Sequence, residues 1–375
     1  MKYFLIAGEP SGDMHAAKLM SEIKKIDRQA EFGFLGGDLM TAQGGILYKH
    51  LEKMAFMGLL PVLLNLRKIK KNFNACQKHL LKFAPHVLIL VDYPGFNLRM
   101  AKFAHMNHIQ TAYYISPKIW AWKTNRVKQI KAYVDHMYTI FPFETEFYKN
   151  YNYDVSYVGN PVWELIQNEL RSSTTKVSFI QANQLANKPI IALLAGSRKH
   201  EIELLLPEME KMRPFYPNHQ MVIAGAPGIS PEFYKKRMRA DIKVVYNQTY
   251  KLLRNSVAAI VASGTATLET ALLDVPQLVV YKMGMGRLLA FLRKFFFKID
   301  YFSLVNLVAE REVVKELFQQ EINTARMKTE LDKILNDDIH RSKQLKGYAE
   351  IRAKLSSTGA AKTTAFKIIQ SIKKE

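Results

Sequence analysis

Short apolar runs recur along the first half of the chain, at 2–8 (KYFLIAG), 86–92 (HVLILVD), 111–116 (TAYYIS) and 155–159 (VSYVG). A strand with one face in water alternates apolar and polar residues. Unbroken apolar runs instead mean burial on both faces, as in a parallel sheet whose crossovers are helices. The pattern restarts at 189–197 (PIIALLAGS), 221–226, 258–264 and 276–281. The prediction is an α/β protein with two doubly wound units. Between them, 166–188 is polar, lacks a strand pattern and carries four consecutive hydroxyl residues, Ser172 to Thr175, as a connection would. The domain boundary is placed near residue 165, giving domains of 1–165 and 166–345. After about residue 312 no further strand is predicted. Residues 346–375 read as a helical tail that packs back on the first domain or on a partner subunit.

Length agrees with two domains, because single cores stop growing well short of 375 residues. With 48% hydrophobic and 23% charged residues, the chain has the balance of a folded globular protein. Its 54 basic and 33 acidic residues leave a net charge of +21, which calls for an anionic partner: nucleic acid, a phosphorylated substrate or lipid headgroups. The lone Cys76 excludes an intrachain disulfide and a multi-cysteine zinc site, and reads as a small buried hydrophobe in a reducing compartment. The apolar run at 3–8 is too brief for a signal peptide. Those at 56–64 and 288–292 fall short of the ~18–20 residues that cross a bilayer. The expected location is cytoplasmic, with peripheral membrane contact.

In open α/β sheets ligands bind beyond the carboxyl ends of the strands, so the loops there are where chemistry is sought. The first strand ends in Gly8, Glu9, Pro10, Ser11, Gly12 and Asp13. Its small residues let backbone amides approach a ligand; equally, this is a turn capped by Ser11 or Asp13. The run at 86–91 delivers Asp92, followed by Pro94, Gly95, Phe96 and Asn97. A carboxylate there suits a general base, or caps a helix starting near Asn97. The segment SPKIWAWK at 116–123 sets Trp120 and Trp122 to shape a groove, with Lys118, Lys123, Arg126 and Lys128 to meet a phosphate. The alternative is core tryptophans beside a solvated basic helix. In the second half, Gly196, Ser197 and Arg198 can present amides and a guanidinium to a diphosphate, or Arg198 pairs with Glu201. ASGTATLET at 262–270 puts Ser263, Gly264 and Thr265 at a helix start, whose amides suit a diphosphate leaving group, with Glu269 one turn on to hold a sugar hydroxyl. Residues 285–299 form an amphipathic basic pattern, with Arg287, Lys294 and Lys298 opposite Leu288, Leu289, Leu292, Phe295 and Phe296. It suits a membrane surface or a helix packed on its own domain.

Taken together and in this order, these segments resemble the lipid-A-disaccharide synthases over nearly the whole chain. GEPSGD at 8–13, GGDLM at 36–40, SPKIWAWK, FPFE at 141–144, GSR at 196–198, SGTATLE at 263–269 and VNLVAEREVVKELFQ at 305–319 carry the resemblance. It implies a GT-B fold, two Rossmann-like domains facing across a cleft, and an inverting glycosyl transfer without metal or cofactor. The donor would be UDP-diacylglucosamine, and the acceptor the 6-hydroxyl of diacylglucosamine 1-phosphate. Asp92 matches the first acidic position of the family's Asp-x-Pro-x-Phe-Asn segment and becomes the candidate base. Arg198, Ser263 to Thr265, Glu269, Asn306 and Glu316 become donor-side candidates, and Gly8 to Asp13, Asn97, Ser116 and Trp120 acceptor-side ones. Gly95 stands where many relatives carry a second aspartate, and Asn160, Ala195 and Val305 replace a histidine and two prolines. None removes a group the chemistry requires. The resemblance further implies peripheral contact with anionic lipids on the inner face of a Gram-negative cytoplasmic membrane, and a homodimer. The rival readings are another UDP-sugar transferase or an epimerase, and a basic nucleic-acid-binding protein. No helix-turn-helix, zinc or RNA-binding signature supports the last, and no nucleic-acid partner is expected.

Overall fold

A computed structural model describes residues 1–53, 66–122, 125–171, 176–238, 241–282, 301–355 and 359–373. The chain divides into two units, Met1–Pro161 with Ser357–Glu375, and Val162–Ser356, each built on one parallel sheet. The first sheet contains β1 (Lys2–Ala7), β2 (Glu31–Gly36), β3 (Ile46–His50), β4 (Val87–Val91), β5 (Gln110–Tyr114), β6 (His136–Thr139) and β7 (Ser156–Tyr157), in the order β3-β2-β1-β4-β5-β6-β7. Its central strands are apolar throughout because helices cover both faces; all five residues of β4, VLILV, are buried. The chain winds outward from β1 to β3, returns to β4 beside β1, and then winds the other way. This switch point, where Ala7 pairs with Val91, sets the loops after β1 and β4 side by side.

The second sheet contains β8 (Ile190–Leu194), β9 (Gln220–Gly225), β10 (Lys243–Tyr246), β11 (Ser256–Ala262), β12 (Gln277–Tyr281) and β13 (Glu316–Phe318), in the order β10-β9-β8-β11-β12-β13. Its switch point lies between β8 and β11, so the loops carrying Gly196 and Gly264 leave neighbouring strands. β13 corrects the expectation that strands end before residue 312. Three residues, ELF, are too short to show a period, and pairing with β12 rather than propensity makes them a strand.

The helix Asp338–Leu355 runs through residue 345 unbroken and lies in the second unit, where Gln344 Oε1 accepts the backbone amide of Gln277 at 3.0 Å. The helix Ala360–Ile372 instead packs on Pro10–Ile26 in the first unit, burying Ala361, Ala365, Ile368 and Ile369. Cys76 is buried, as expected of a small hydrophobe. Among the described residues, no helix is long and apolar enough to cross a membrane. The amphipathic segment 285–299, the run 56–64, the hydroxyl run 172–175, Lys123 and the Trp122 side chain lie outside what is described.

Candidate active site

At the first switch point, Asp92 and Tyr93 both adopt left-handed backbone, with φ of 46° and 49°. Two consecutive non-glycine residues in this region are costly and need support from their surroundings. That support is visible. The Asp92 carbonyl accepts the Asn97 side-chain amide at 2.7 Å and the Tyr113 hydroxyl at 2.5 Å. The Tyr93 ring fills the space above Gly8, where a Cβ would come within 2.3 Å of the ring. The helix here begins at Pro94 with Tyr93 as its N-cap and no side-chain cap. Asp92 is therefore not a helix cap. Burial raises its carboxyl above the ordinary value, against an opposing pull from Lys118 and the Tyr93 amide. A half-buried carboxylate with elevated proton affinity, on a stiffened loop at a switch point, has the chemistry of a general base.

The other residues around this point divide into those that face outward and those already committed. Ser11 is exposed and Glu9 half-buried at the start of the helix Pro10–Ile26. Gly12 packs on Ala7. Asp13 is 4% exposed, and its carboxylate accepts the amides of Gly37 at 2.7 Å, Leu39 at 3.0 Å and Met40 at 3.2 Å. This explains why GEPSGD and GGDLM occur together: a Cβ on Gly37 would lie 2.7 Å from Asp13 Oδ2. Asp13 is a clamp between two loops. Asn97, fully buried, likewise braces β4 and its loop through its side-chain amide. Ser116 shares a hydrogen bond of 2.8 Å with the Tyr148 hydroxyl, and the Trp120 indole donates to Glu144 Oε1 at 3.3 Å. Glu144 also accepts the amides of Ile140 and Phe141, so SPKIW and FPFE are fastened by one carboxylate. Burial lifts that carboxyl to about 7. Arg126 stays half-exposed and Lys118 exposed, leaving these cations near the loop able to meet an anion.

At the second switch point, Gly196 has φ of +118° and a Cβ there would lie 2.7 Å from the Glu201 side chain. Glu201 Oε2 accepts the Ser197 amide at 3.0 Å and the Arg198 amide at 3.4 Å, so these amides are not free to cradle a diphosphate. The Arg198 guanidinium is 3.6 Å from Glu201 with 65% of its side chain exposed, an ion pair weak enough for a diphosphate to compete. Gly264 caps the helix Thr265–Leu272, which has no side-chain cap, and among the described residues nothing lies within 4 Å of where its Cβ would stand. The Ser263 hydroxyl donates to the Phe302 carbonyl at 3.0 Å, Thr265 is exposed, and half-buried Glu269 accepts the Tyr250 hydroxyl at 3.1 Å.

Asn306 and Glu316 belong to one internal hydrogen-bond network. Asn306 is fully buried; its oxygen accepts the amides of Val313 and Val314, and its nitrogen donates to the Val314 carbonyl and to Glu316 Oε1. Glu316 also accepts the Phe302 and Ser303 amides and the Ser303 hydroxyl. With these atoms hydrogen-bonded internally, the pair shapes the segment that Ser263 touches. Sequence reading also missed Tyr93, Tyr113 and Tyr250, because a supporting role depends on contacts far apart in the chain, and it named Glu201 only as a partner for Arg198.

The lipid-A-disaccharide synthetase family matches residues 3–369. A lipid-A-disaccharide synthase of Coxiella burnetii is 35% identical over 372 residues, covering 98% of this chain and 97% of that protein. One from Myxococcus xanthus is 35% identical over 382 residues, with 98% and 97% covered. Among solved structures, a UDP-GlcNAc 2-epimerase from Neisseria meningitidis bound to UDP-GlcNAc superposes with a TM-score of 0.67 at 13% identity, covering 100% of both chains. The calicheamicin glycosyltransferase CalG4 gives 0.58 at 13%, with 99% and 97% covered. At such identity the likeness establishes the GT-B-like fold.

Proposed function

This chain belongs to the lipid-A-disaccharide synthase family, and from that membership we propose how its own residues carry the family's transfer. The reaction is a glycosyl transfer of lipid A biosynthesis, moving diacylglucosamine from UDP to the 6-hydroxyl of diacylglucosamine 1-phosphate. The products are a β-1,6-linked disaccharide 1-phosphate and UDP. Asp92 takes the proton of the 6-hydroxyl as its oxygen bonds to the anomeric carbon and the bond to the UDP oxygen breaks. Negative charge then grows on the departing diphosphate. The uncapped amides opening the helix Thr265–Leu272, with the Arg198 guanidinium, stabilise it. Glu269 holds a sugar or ribose hydroxyl from one turn further in. On the acceptor side, Lys118 and Arg126 add positive charge near the base loop for an anionic acceptor, while Asn97, Tyr113 and Tyr93 keep Asp92 in place.

The observation that carries this assignment is the left-handed Asp92, braced through its carbonyl and free of any capping duty. Its test is incubation with both acylated substrates, followed by mass spectrometry for the disaccharide. Parent protein should form disaccharide and UDP in equal amounts, and Asp92→Asn should form little. Sugar inversion at C2 without an acceptor would favour an epimerase instead. Membrane association stays part of the proposed working state, supported by the acyl chains of both substrates and the charge of +21, and a homodimer is proposed only from the resemblance to the family.

A further inference from the structure

The first unit holds a cavity of about 420 Å³ between β3 and the helix Leu66–Phe83, a volume suited to a small ligand. Leu35, Tyr48 and Cys76 form part of its apolar lining, while Lys49, Lys53 and His79 bring in cationic groups. Asn72, 7% exposed, joins the two sides: its oxygen accepts Lys49 Nζ and its nitrogen donates to the Lys53 carbonyl at 3.2 Å. His79 stacks on Tyr48 with ring centroids 4.5 Å apart. Its proton affinity is depressed first by burial and then by the nearby charges of Lys82 and Lys49. The nearby acids, Asp38 and Glu52, flank His50 at 3.5 Å with side chains 95% and 80% exposed, where water screens them. Asn72 also lines a small crevice with Tyr93, the neighbour of Asp92, so the cavity lies on the acceptor side.

We infer that this cavity binds a lipid-borne phosphate, with Lys49 and Lys53 facing the phosphate oxygens and the apolar lining taking the first carbons of its stem. The phosphate has two sources of the same chemistry, the 1-phosphate of the acylated acceptor and the headgroup of a phospholipid. The first rests on the proposed transfer, and the second does not. The test uses the full chain as Lys49→Met/Lys53→Gln, with Lys78→Gln as control, an exposed charge on the helix Leu66–Phe83 that does not line the cavity. The KM for diacylglucosamine 1-phosphate should rise about tenfold in the double variant while that for the dephosphorylated acceptor holds within twofold, if the acceptor supplies the phosphate. If a phospholipid supplies it, both KM values hold and binding to phosphatidic acid vesicles, compared with phosphatidylcholine, falls at least fivefold. Parent-like KM and vesicle binding in a variant that melts normally overturns the inference. Should the double variant melt early, Lys53→Glu, which leaves the Lys49–Asn72 hydrogen bond intact, repeats both comparisons with the same criteria. Vesicle binding is read without turnover, so a mistaken base and a mistaken cavity show in different measurements.

Discussion

Asp92 and Tyr93 hold a backbone shape that most side chains avoid, and Asn97 and Tyr113 spend polar atoms to keep it. Asp92→Asn preserves the shape and removes the base, so turnover should fall by roughly 10²–10⁴-fold with melting unchanged. Because burial raises this carboxyl, the acidic limb of kcat against pH should lie above the range of an ordinary aspartate, activity growing as pH rises through the folded value. Tyr113→Phe deletes one brace without touching substrate; kcat should fall more than KM rises, and a stopped-flow pH profile should shift with it. Arg198→Ala should raise the donor KM roughly tenfold, the worth of one charge-assisted contact, and lysine should restore only part of it. A calorimetric titration with UDP checks the same point. Asp92 and Arg198 were legible as candidates because residue type and strand-end position suffice to nominate them. Asn306 and Glu316 show where that reasoning stops: their hydrogen bonds to each other, to Ser303 and to Val313 cannot be read from residue type and position.

The elements near the sites owe their geometry to a few inserted carboxylates. Asp13, Glu144, Glu201 and Glu316 each accept at least two backbone amides, and each ties its loop in place. Glu144 adds a pH dependence. A carboxyl whose folded value, about 7, exceeds its ordinary value of 4.5 binds its proton more tightly in the native state. That stabilisation is complete below the lower value and lost as pH rises through the higher one. Glu144→Gln cannot ionise, so its melting temperature relative to the parent should improve between about pH 5 and pH 8, as read by differential scanning fluorimetry. The buried strands β1, β4, β5, β8, β9, β11 and β12 were visible in sequence because burial on both faces writes an unbroken apolar run. β2, with two glycines, and β3, whose Ile46 and Leu47 are 53% and 37% exposed, leave no such run. Their place comes from pairing with β1 and with each other.

At the scale of the molecule, two parallel sheets each reverse direction once, and the candidate groups gather at the two reversals. The alternation of apolar runs was enough to foresee two such units. The route of the chain after the second was not, because helices rich in lysine and leucine fit many surfaces equally well. The helix Ala360–Ile372 lies on Pro10–Ile26, so removing everything after residue 355 should uncover an apolar face of the first unit. The expected result is a lower melting temperature and aggregation, measured by light scattering, with the second unit's binding of UDP retained. The same return of the chain orders events on the ribosome. Synthesis at about 5–20 residues per second separates the arrival of residue 161 from that of residue 372 by roughly 10–40 s. Throughout that interval the nascent first unit carries an uncovered helix face while the second unit is made and completed, and a chaperone that shields Pro10–Ile26 would have its longest opportunity there.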